Sequence, residues 1–368
     1  MAARHSAPAR GRRLLLGLMV TLIGALSPAA EARQGDLRGQ FREREQAFFE
    51  AQAEGDFEAM ERIAGEQRDL LSEARGDLRA QNAVQSRDPA VLKDLATVLA
   101  MEGDYDLAAE TLERAADHAP DDAESWVMLG EMRMHLGDAA APDAAEALRQ
   151  CLALEPGGPI AAHAHGLMTA LYLEMGLIPL ARETREEGQQ FEEGHPALEF
   201  GAIALDIAEG RLVEAHERLD THQTLPRRTS DLIERAVELY ETSGRATPNT
   251  AEAHTAYARI LFRVGQAHRC AAPLERAVTL DPEDTAAWNF LGSVYLTLGD
   301  YESAQHAFAQ SLAVDGEQPG VREIVEALED GEPVAPDDEE AGEFVPPVRE
   351  QSDEPASPFM GMDVPTQN

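Results

Sequence analysis

The sequence predicts an all-α protein: a solenoid of stacked antiparallel helix pairs with disordered stretches at both termini. Three observations predict this fold class. Hydrophobic residues make up 43% of the 368-residue chain but aromatics only 5%, and much of the apolar content is Ala, which favours closely packed helices over sheets. A set of apolar and small residues recurs every 34 positions. Within each period, two apolar stripes of helical spacing are separated by a Gly-containing break.

Residues 1–32 are predicted to be a secretory signal peptide. Four Arg precede an uncharged, mostly apolar run at 14–26, and Ala30-Glu31-Ala32 has the A-x-A form of a cleavage site. The mature chain would begin near Arg33 and would be periplasmic or secreted, with no stable membrane span. The apolar run is short for such a span, and an uncleaved N-terminal anchor is the alternative.

Residues 33–88 are predicted to form an N-terminal helical segment containing a degenerate first hairpin. Its first helix would cover 41–53, and Gly55-Asp56 would form the turn. The second helix could extend to about Gln85.

The repeat ladder is clearest at 285–318, and it is also present at 89–122, 123–158 and 251–284. Its most regular rungs are Trp288, Leu291, Gly292, Tyr295, Gly299, Ala304, Phe308 and Ser311. This ladder resembles the tetratricopeptide repeat family, whose pattern is W-x2-L-G-x2-Y, then A-x3-F, then P. The resemblance implies a right-handed superhelix with two repeats at 89–158 and two at 251–318.

Packing explains the ladder. In Gly103-Asp104 and Gly299-Asp300, Gly is expected to end the first helix of a pair and Asp to cap the second. Small rungs allow the two helices to approach closely, and one hairpin cannot bury its apolar face without neighbours. The rungs interpreted as structural are Trp126, Gly130, Trp288, Gly292, Tyr295, Ala304 and Phe308.

The remaining segments depart from the ladder. Residues 159–250 are predicted to hold degenerate helical repeats and one extra helix, Ser230–Thr242, between Pro226 and Pro248. That helix could be a spacer, or the array could be two blocks joined there. Residues 319–329 suit a capping helix. Residues 330–368 hold seven Pro and eleven acidic residues against one Arg, which predicts a disordered acidic tail.

The charge excludes some classes of partner. A formal net charge of -37 argues against binding nucleic acid or an anionic membrane surface, because both need clustered Lys and Arg. Lys93 is the only Lys in the chain.

The sequence offers no recognisable catalytic or metal-binding constellation, so we predict a protein that is not an enzyme and has no cofactor. Cys151 and Cys270 both occupy rungs that need a small apolar residue, which indicates packing rather than a disulfide. His163 and His165 are two apart on a predicted helix and therefore do not face the same ligand.

The resemblance implies a concave face lined by the first helix of each pair. Carried over, its partner-facing positions include Lys93, Glu131 and Met134 early in the chain and Arg259, Phe262, Arg263, Asn289, Ser293 and Leu296 late in it. Arg259 and Arg263 are four apart and share a helix face, so with Asn289 and Ser293 they could hold a carboxylate or an acidic peptide. Ion pairing with local acids is the alternative for both Arg.

The predicted function is therefore an exported scaffold or adaptor that binds a protein or extended peptide through this face, in cell-envelope assembly. Two alternatives are action through the acidic tail and a role as accessory subunit of an envelope enzyme. The sequence does not indicate the oligomeric state.

Overall fold

The computed structural model describes residues 37–53, 56–191, 195–222 and 227–330, and this part of the chain contains sixteen α-helices. They are α1 (Leu37–Ala53), α2 (Phe57–Ala80), α3 (Pro89–Met101), α4 (Tyr105–His118), α5 (Ala123–Met134), α6 (Ala141–Leu154), α7 (Gly158–Glu174), α8 (Ile178–Gln189), α9 (Pro196–Glu209), α10 (Leu212–Asp220), α11 (Arg227–Thr242), α12 (Ala251–Arg263), α13 (Ala271–Leu280), α14 (Thr285–Leu298), α15 (Tyr301–Val314) and α16 (Pro319–Asp330). The predicted signal peptide, Gly55, Pro226 and the tail from residue 331 onward lie outside the described residues.

The chain divides into two compact units, between Val264 and Gly265. In unit 1, the pairs α3/α4, α5/α6, α7/α8 and α9/α10 each pack as hairpins, and α1 packs against α2. In unit 2, α14 and α15 form a hairpin, with α13 against α14 and α16 against α15. We call the first helix of each repeat the A helix (α3, α5, α7, α9, α12, α14) and the second the B helix. The predicted all-α class of stacked, antiparallel helix pairs is confirmed.

The turns inside the pairs have the predicted chemistry. Gly103 and Gly299 have φ of 83° and 75°, a left-handed conformation that ends the A helix and that side chains rarely adopt. Directly after them, Asp104 accepts a hydrogen bond from the backbone N–H of Leu107, and Asp300 from that of Ser303, at 3.3 and 3.2 Å. In the α3/α4 and α14/α15 pairs, the B helix therefore starts with a carboxylate cap.

The small rungs mark the closest helix contacts. A Cβ added to Gly292 would lie 2.7 Å from the Phe308 ring, and one added to Gly130 would lie 2.7 Å from the Leu148 side chain. Each Gly thus lets an A helix rest directly on a large side chain of its own B helix.

Equivalent tryptophans connect two of the A helices, α5 and α14, to the end of the preceding repeat. The indole Nε1 of Trp126 donates to the Pro120 carbonyl at 3.1 Å, and that of Trp288 donates to the Pro282 carbonyl at 3.0 Å. The two tryptophans therefore make the same contact at equivalent positions of their repeats. Tyr295 likewise donates to Glu275 on α13 at 2.6 Å, and burial together with that carboxylate raises its pKa to about 12.

Candidate partner-binding site

Lys93, predicted to face a partner, is buried on α3. Its Nζ lies 2.9 Å from an Asp122 carboxylate oxygen and also contacts the carboxylate of Glu124. Burial raises the pKa of Asp122, but the Ser125 hydroxyl and the Lys93 ammonium outweigh it, so this pKa lies below its ordinary value. The only Lys of the chain therefore neutralises two acids at the start of α5.

Glu131 and Met134 on α5 are also buried, at 4% and 7% exposure. One Glu131 carboxylate oxygen lies 4.0 Å from Nε2 of His163 on α7, and the His163 ring lies 5.6 Å from that of His195, just before α9. These three side chains form a buried polar contact between consecutive A helices, which we call the α5–α7–α9 histidine contact.

His195 contacts the His163 ring and also caps α9. Its Nδ1 accepts a hydrogen bond from the backbone N–H of Ala197 at 3.3 Å and so caps α9. Acceptance requires a neutral ring with the proton on Nε2. Burial, assisted by His163, lowers the pKa of His195 to about 4, which keeps the ring neutral at pH 7.

The other histidine of the apparent pair points elsewhere. His165 stacks on Phe191, with ring centroids 5.7 Å apart, and its Nδ1 lies 4.0 Å from a Glu187 carboxylate oxygen. The divergence from His163 agrees with their spacing on the helix. Among the described residues, no group of three or more His, Cys, Asp or Glu is arranged to hold a metal ion.

On α12, the predicted residues differ in accessibility. Phe262 is buried and Arg259 is half-buried. The Arg263 guanidinium donates through Nη2 to the carbonyl of His222 and, at 3.5 Å, to that of Leu219, both at the end of α10. Arg263 therefore holds α12 against α10, a structural task that its spacing from Arg259 does not reveal.

On α14, in unit 2, the predicted residues are half-buried. The Asn289 amide donates to Gln318, just before α16, at 2.7 Å, while the Ser293 hydroxyl donates to the Asn289 carbonyl at 3.0 Å. Leu296 packs against the apolar cluster that α16 closes. Ser293 and the neighbouring Thr297 thus keep accessible surface on the face of α14 that was predicted to meet a partner. Their hydroxyls donate to backbone carbonyls of the same helix.

Sequence reasoning missed the placement of α11. It identified the helix but not its neighbours: α11 packs against α9, α7 and α12, which are all A helices. The one signal available was its apolar stripe at helical spacing between two prolines, which indicates burial without naming the surface that buries it.

The cysteines are inert packing groups. Cys151 and Cys270 are fully buried, and burial raises the pKa of each thiol to about 12. A thiol of this kind is neither nucleophilic nor a metal ligand at neutral pH. Among the described helices, none is both long and apolar enough to cross a membrane.

The comparisons with known proteins concern the repeats. One family model described as tetratricopeptide repeat matches residues 89–132 and 251–294, and a second of the same description matches 285–318. No curated protein matches the sequence.

Solved structures of low identity are also similar. A tetratricopeptide repeat protein from Parabacteroides merdae is 13% identical, with 79% of this chain and 99% of that chain covered and a TM-score of 0.35. The type IV pilus biogenesis factor PilW is 14% identical over 64% and 98%, with a TM-score of 0.34. In the APC/C hetero-tetramer Cut9–Hcn1, the identity is 10% and the TM-score 0.38, and the match spans 70% of this chain but only 46% of that one.

Proposed function

The chain is a tetratricopeptide repeat protein, and from this premise we propose that it is an exported, non-enzymatic scaffold that binds a protein partner or an extended peptide through A-helix faces. The observation that carries the proposal is the contrast on α14. Leu291 is buried and Gly292 lies against Phe308 of the B helix, whereas Ser293 and Thr297 keep accessible surface. Regular repeats leave such a row available because packing uses the other side of the helix.

The groove residues predicted from the sequence differ in how accessible they are to a partner. Lys93, Glu131 and Met134 are buried, and a partner could reach them only if their packing changed. Arg263 supports the end of α10. We therefore propose Arg259 in unit 1, and Ser293 with Leu296 in unit 2, as the positions that contact a partner; the envelope role and the export signal belong to the same proposal.

The test uses paired substitutions on the two sides of the same hairpin. The partner is first identified by cross-linked pull-down from envelope extract, and its affinity for the purified chain is then measured by calorimetry. Ser293→Arg with Thr297→Arg should weaken binding by about tenfold or more, because bulky charge would occupy the contact row. Ala309→Arg, on the exposed side of α15, is the matched control and should change affinity by less than about twofold.

Equal affinities for the two variants, with unchanged circular dichroism, would exclude the α14 face. Deleting 331–368 separates the tail alternative, since loss of binding in that variant alone would assign the function to the tail. Arg259→Glu tests unit 1 independently; we leave Arg263 intact because its loss would disturb α10. Export is tested by cell fractionation and by sequencing the mature N-terminus, expected near Arg33.

The accessory-subunit alternative makes a different prediction. A partner that is itself an enzyme should copurify with the chain, and its activity should depend on the chain's presence.

A further inference from the structure

Helix α11 buries its apolar face on the A helices, in the way that a bound amphipathic helix does. Its apolar stripe is completely covered, with exposures of 0 to 6%: Leu232, Ile233, Ala236, Val237 and Tyr240. The spacing i, i+1, i+4, i+5, i+8 is that of one face of an amphipathic helix. Asp231 and Glu238 lie on the opposite, exposed side. This division is the one found when an amphipathic helix lies in an apolar groove.

The neighbours of α11 define the surface it covers. It packs mainly on α9, also on α7, and touches α12. A Cβ added to Gly176, two residues after α7, would lie 3.5 Å from Leu239, and one added to Gly210, directly after α9, would lie 3.2 Å from the Tyr240 ring. The C-terminal half of α11 therefore crosses the C-terminal ends of two successive A helices.

Polar contacts at this surface also resemble recognition of a separate helix. Arg235 of α11 donates through Nε to the carbonyl of Glu174 at 3.2 Å, and Arg245, just after α11, donates to the carbonyl of Glu209. Both carbonyls belong to the last residue of an A helix, where backbone acceptors are left over. The guanidinium groups satisfy acceptors that any helix placed on this surface could use.

We propose that the A-helix surface of α7 and α9 is a binding site for an amphipathic helix with an acidic outer face, and that α11 is its tethered occupant. A partner helix of the same pattern replaces α11. This inference rests on the proposed function, because it specifies the chemical class of a partner for the same scaffold. It concerns a surface distinct from Arg259 and from the α14 row.

The tether explains why the site is closed in the free protein. A segment joined through a few residues reaches an effective concentration on the order of millimolar at its own site. A free peptide with micromolar affinity for the surface would therefore compete poorly with α11. Substitutions that weaken the packing of α11 on α7 and α9 in the intact chain should therefore let the same helix bind there when it is added as a peptide.

The experiment uses a fluorescently labelled peptide of residues 227–244 and measures anisotropy. The full chain with Ile233→Asp and Val237→Asp should bind this peptide at least about a hundredfold more tightly than the unsubstituted chain does, because the competing tether is removed. Asp231→Ala with Glu238→Ala, which leaves the apolar stripe intact, is the matched control and should behave as the unsubstituted chain. A labelled peptide carrying the two Asp substitutions should not bind any of the three.

A folded Ile233→Asp/Val237→Asp chain that fails to bind the peptide would overturn the proposal and make α11 an integral part of the core. If that variant does not fold, hydrogen exchange in the unsubstituted chain decides. The amides of α11 should exchange together at least about tenfold faster than those of α7 and α9, as expected for a separately undocking helix. Equal protection would overturn the proposal. Neither result bears on partner affinity of the α14 variants, so the two proposals fail separately.

Discussion

The buried histidine His195 should make unit 1 sensitive to mild acid. The residue is 1% exposed, and its pKa is lowered from 6.5 to about 4 in the folded chain. The unfolded chain therefore takes up a proton at a higher pH than the folded chain does. Stability from this residue is complete above about pH 6.5 and is lost as the pH falls toward 4.

The magnitude follows from the shift. One pKa unit corresponds to about 1.4 kcal/mol, so the full shift corresponds to about 3 kcal/mol of unfolding free energy between pH 6.5 and 4. Two structural losses accompany protonation: Nδ1 can no longer accept from the Ala197 N–H, and a positive charge lies beside the His163 ring in a buried site. The acid that contacts the His163 ring at 4.0 Å, Glu131, lies on α5 and is paired with His163 rather than with His195.

The assay compares the chain with His195→Asn. Asn can cap α9 but does not titrate. Trp288→Phe is placed in both proteins, so that Trp126, the other of the two tryptophans, reports unit 1 alone. Urea unfolding is followed by fluorescence from pH 7 to pH 4.5.

We expect His195→Asn to be less stable at pH 7 but to lose stability more slowly as the pH falls. The difference in slope should approach about 1.4 kcal/mol per pH unit, the value for one proton. Burial also lowers the pKa of His165 and His222, so both proteins keep a residual slope. Parallel pH profiles would refute the assignment of the acid sensitivity to His195.

Three further changes test the packing. Lys93→Met should lower the unfolding free energy of unit 1 by about 2 kcal/mol at pH 7, measured by urea unfolding, because it leaves two largely buried carboxylates without their cation. Gly292→Ala should lower that of unit 2 by about 1 to 3 kcal/mol in the same assay, because the new methyl group overlaps the Phe308 ring. Both cysteines should resist Ellman's reagent in the native chain and react at once after unfolding, since the pKa of each thiol is about 12.

These changes have internal controls. Gly65 lies within α2 and an added Cβ would meet no atom within 4 Å, so Gly65→Ala should be neutral or stabilising by up to about 1 kcal/mol. A Gly292→Ala chain as stable as Gly65→Ala would contradict the close helix contact. The effect of Lys93→Met should shrink at low pH, where Asp122 becomes protonated; a pH-independent effect would assign it to lost packing of the Lys stem.

The repeat could be predicted from the sequence because the contacts that define it join residues close together in the chain. The Gly103-Asp104 turn and the Gly292 contact depend on neighbours within one repeat, and the Trp288 rung depends on Pro282, only six residues earlier. The distance between these partners along the chain is fixed. A period of 34 therefore specifies the hairpin almost completely.

The sequence does not determine which predicted groove positions are accessible where this depends on contacts between repeats. Position in the ladder places Lys93 and Glu131 on the A-helix side, but not how closely the next A helix approaches. Arg263 is used at the end of α10, which lies in a degenerate repeat without a clear pattern. The surface covered by α11 was equally hidden, because its apolar stripe fits any groove of the right width.

The predicted partner-facing surface of the A helices is thus also used for internal packing, and this limits where a partner can bind. In unit 1 the chain fills much of that side with its own groups: the Lys93 ion pairs, the α5–α7–α9 histidine contact and α11. Each group is buried within the fold, so a partner cannot reach it unless it replaces the group. Recognition without rearrangement therefore requires half-exposed positions such as Ser293, whereas recognition at α7 and α9 requires an exchange of helices. The two proposed modes would differ in kinetics, because an exchange could not proceed faster than α11 undocks, whereas binding at α14 would be limited by encounter.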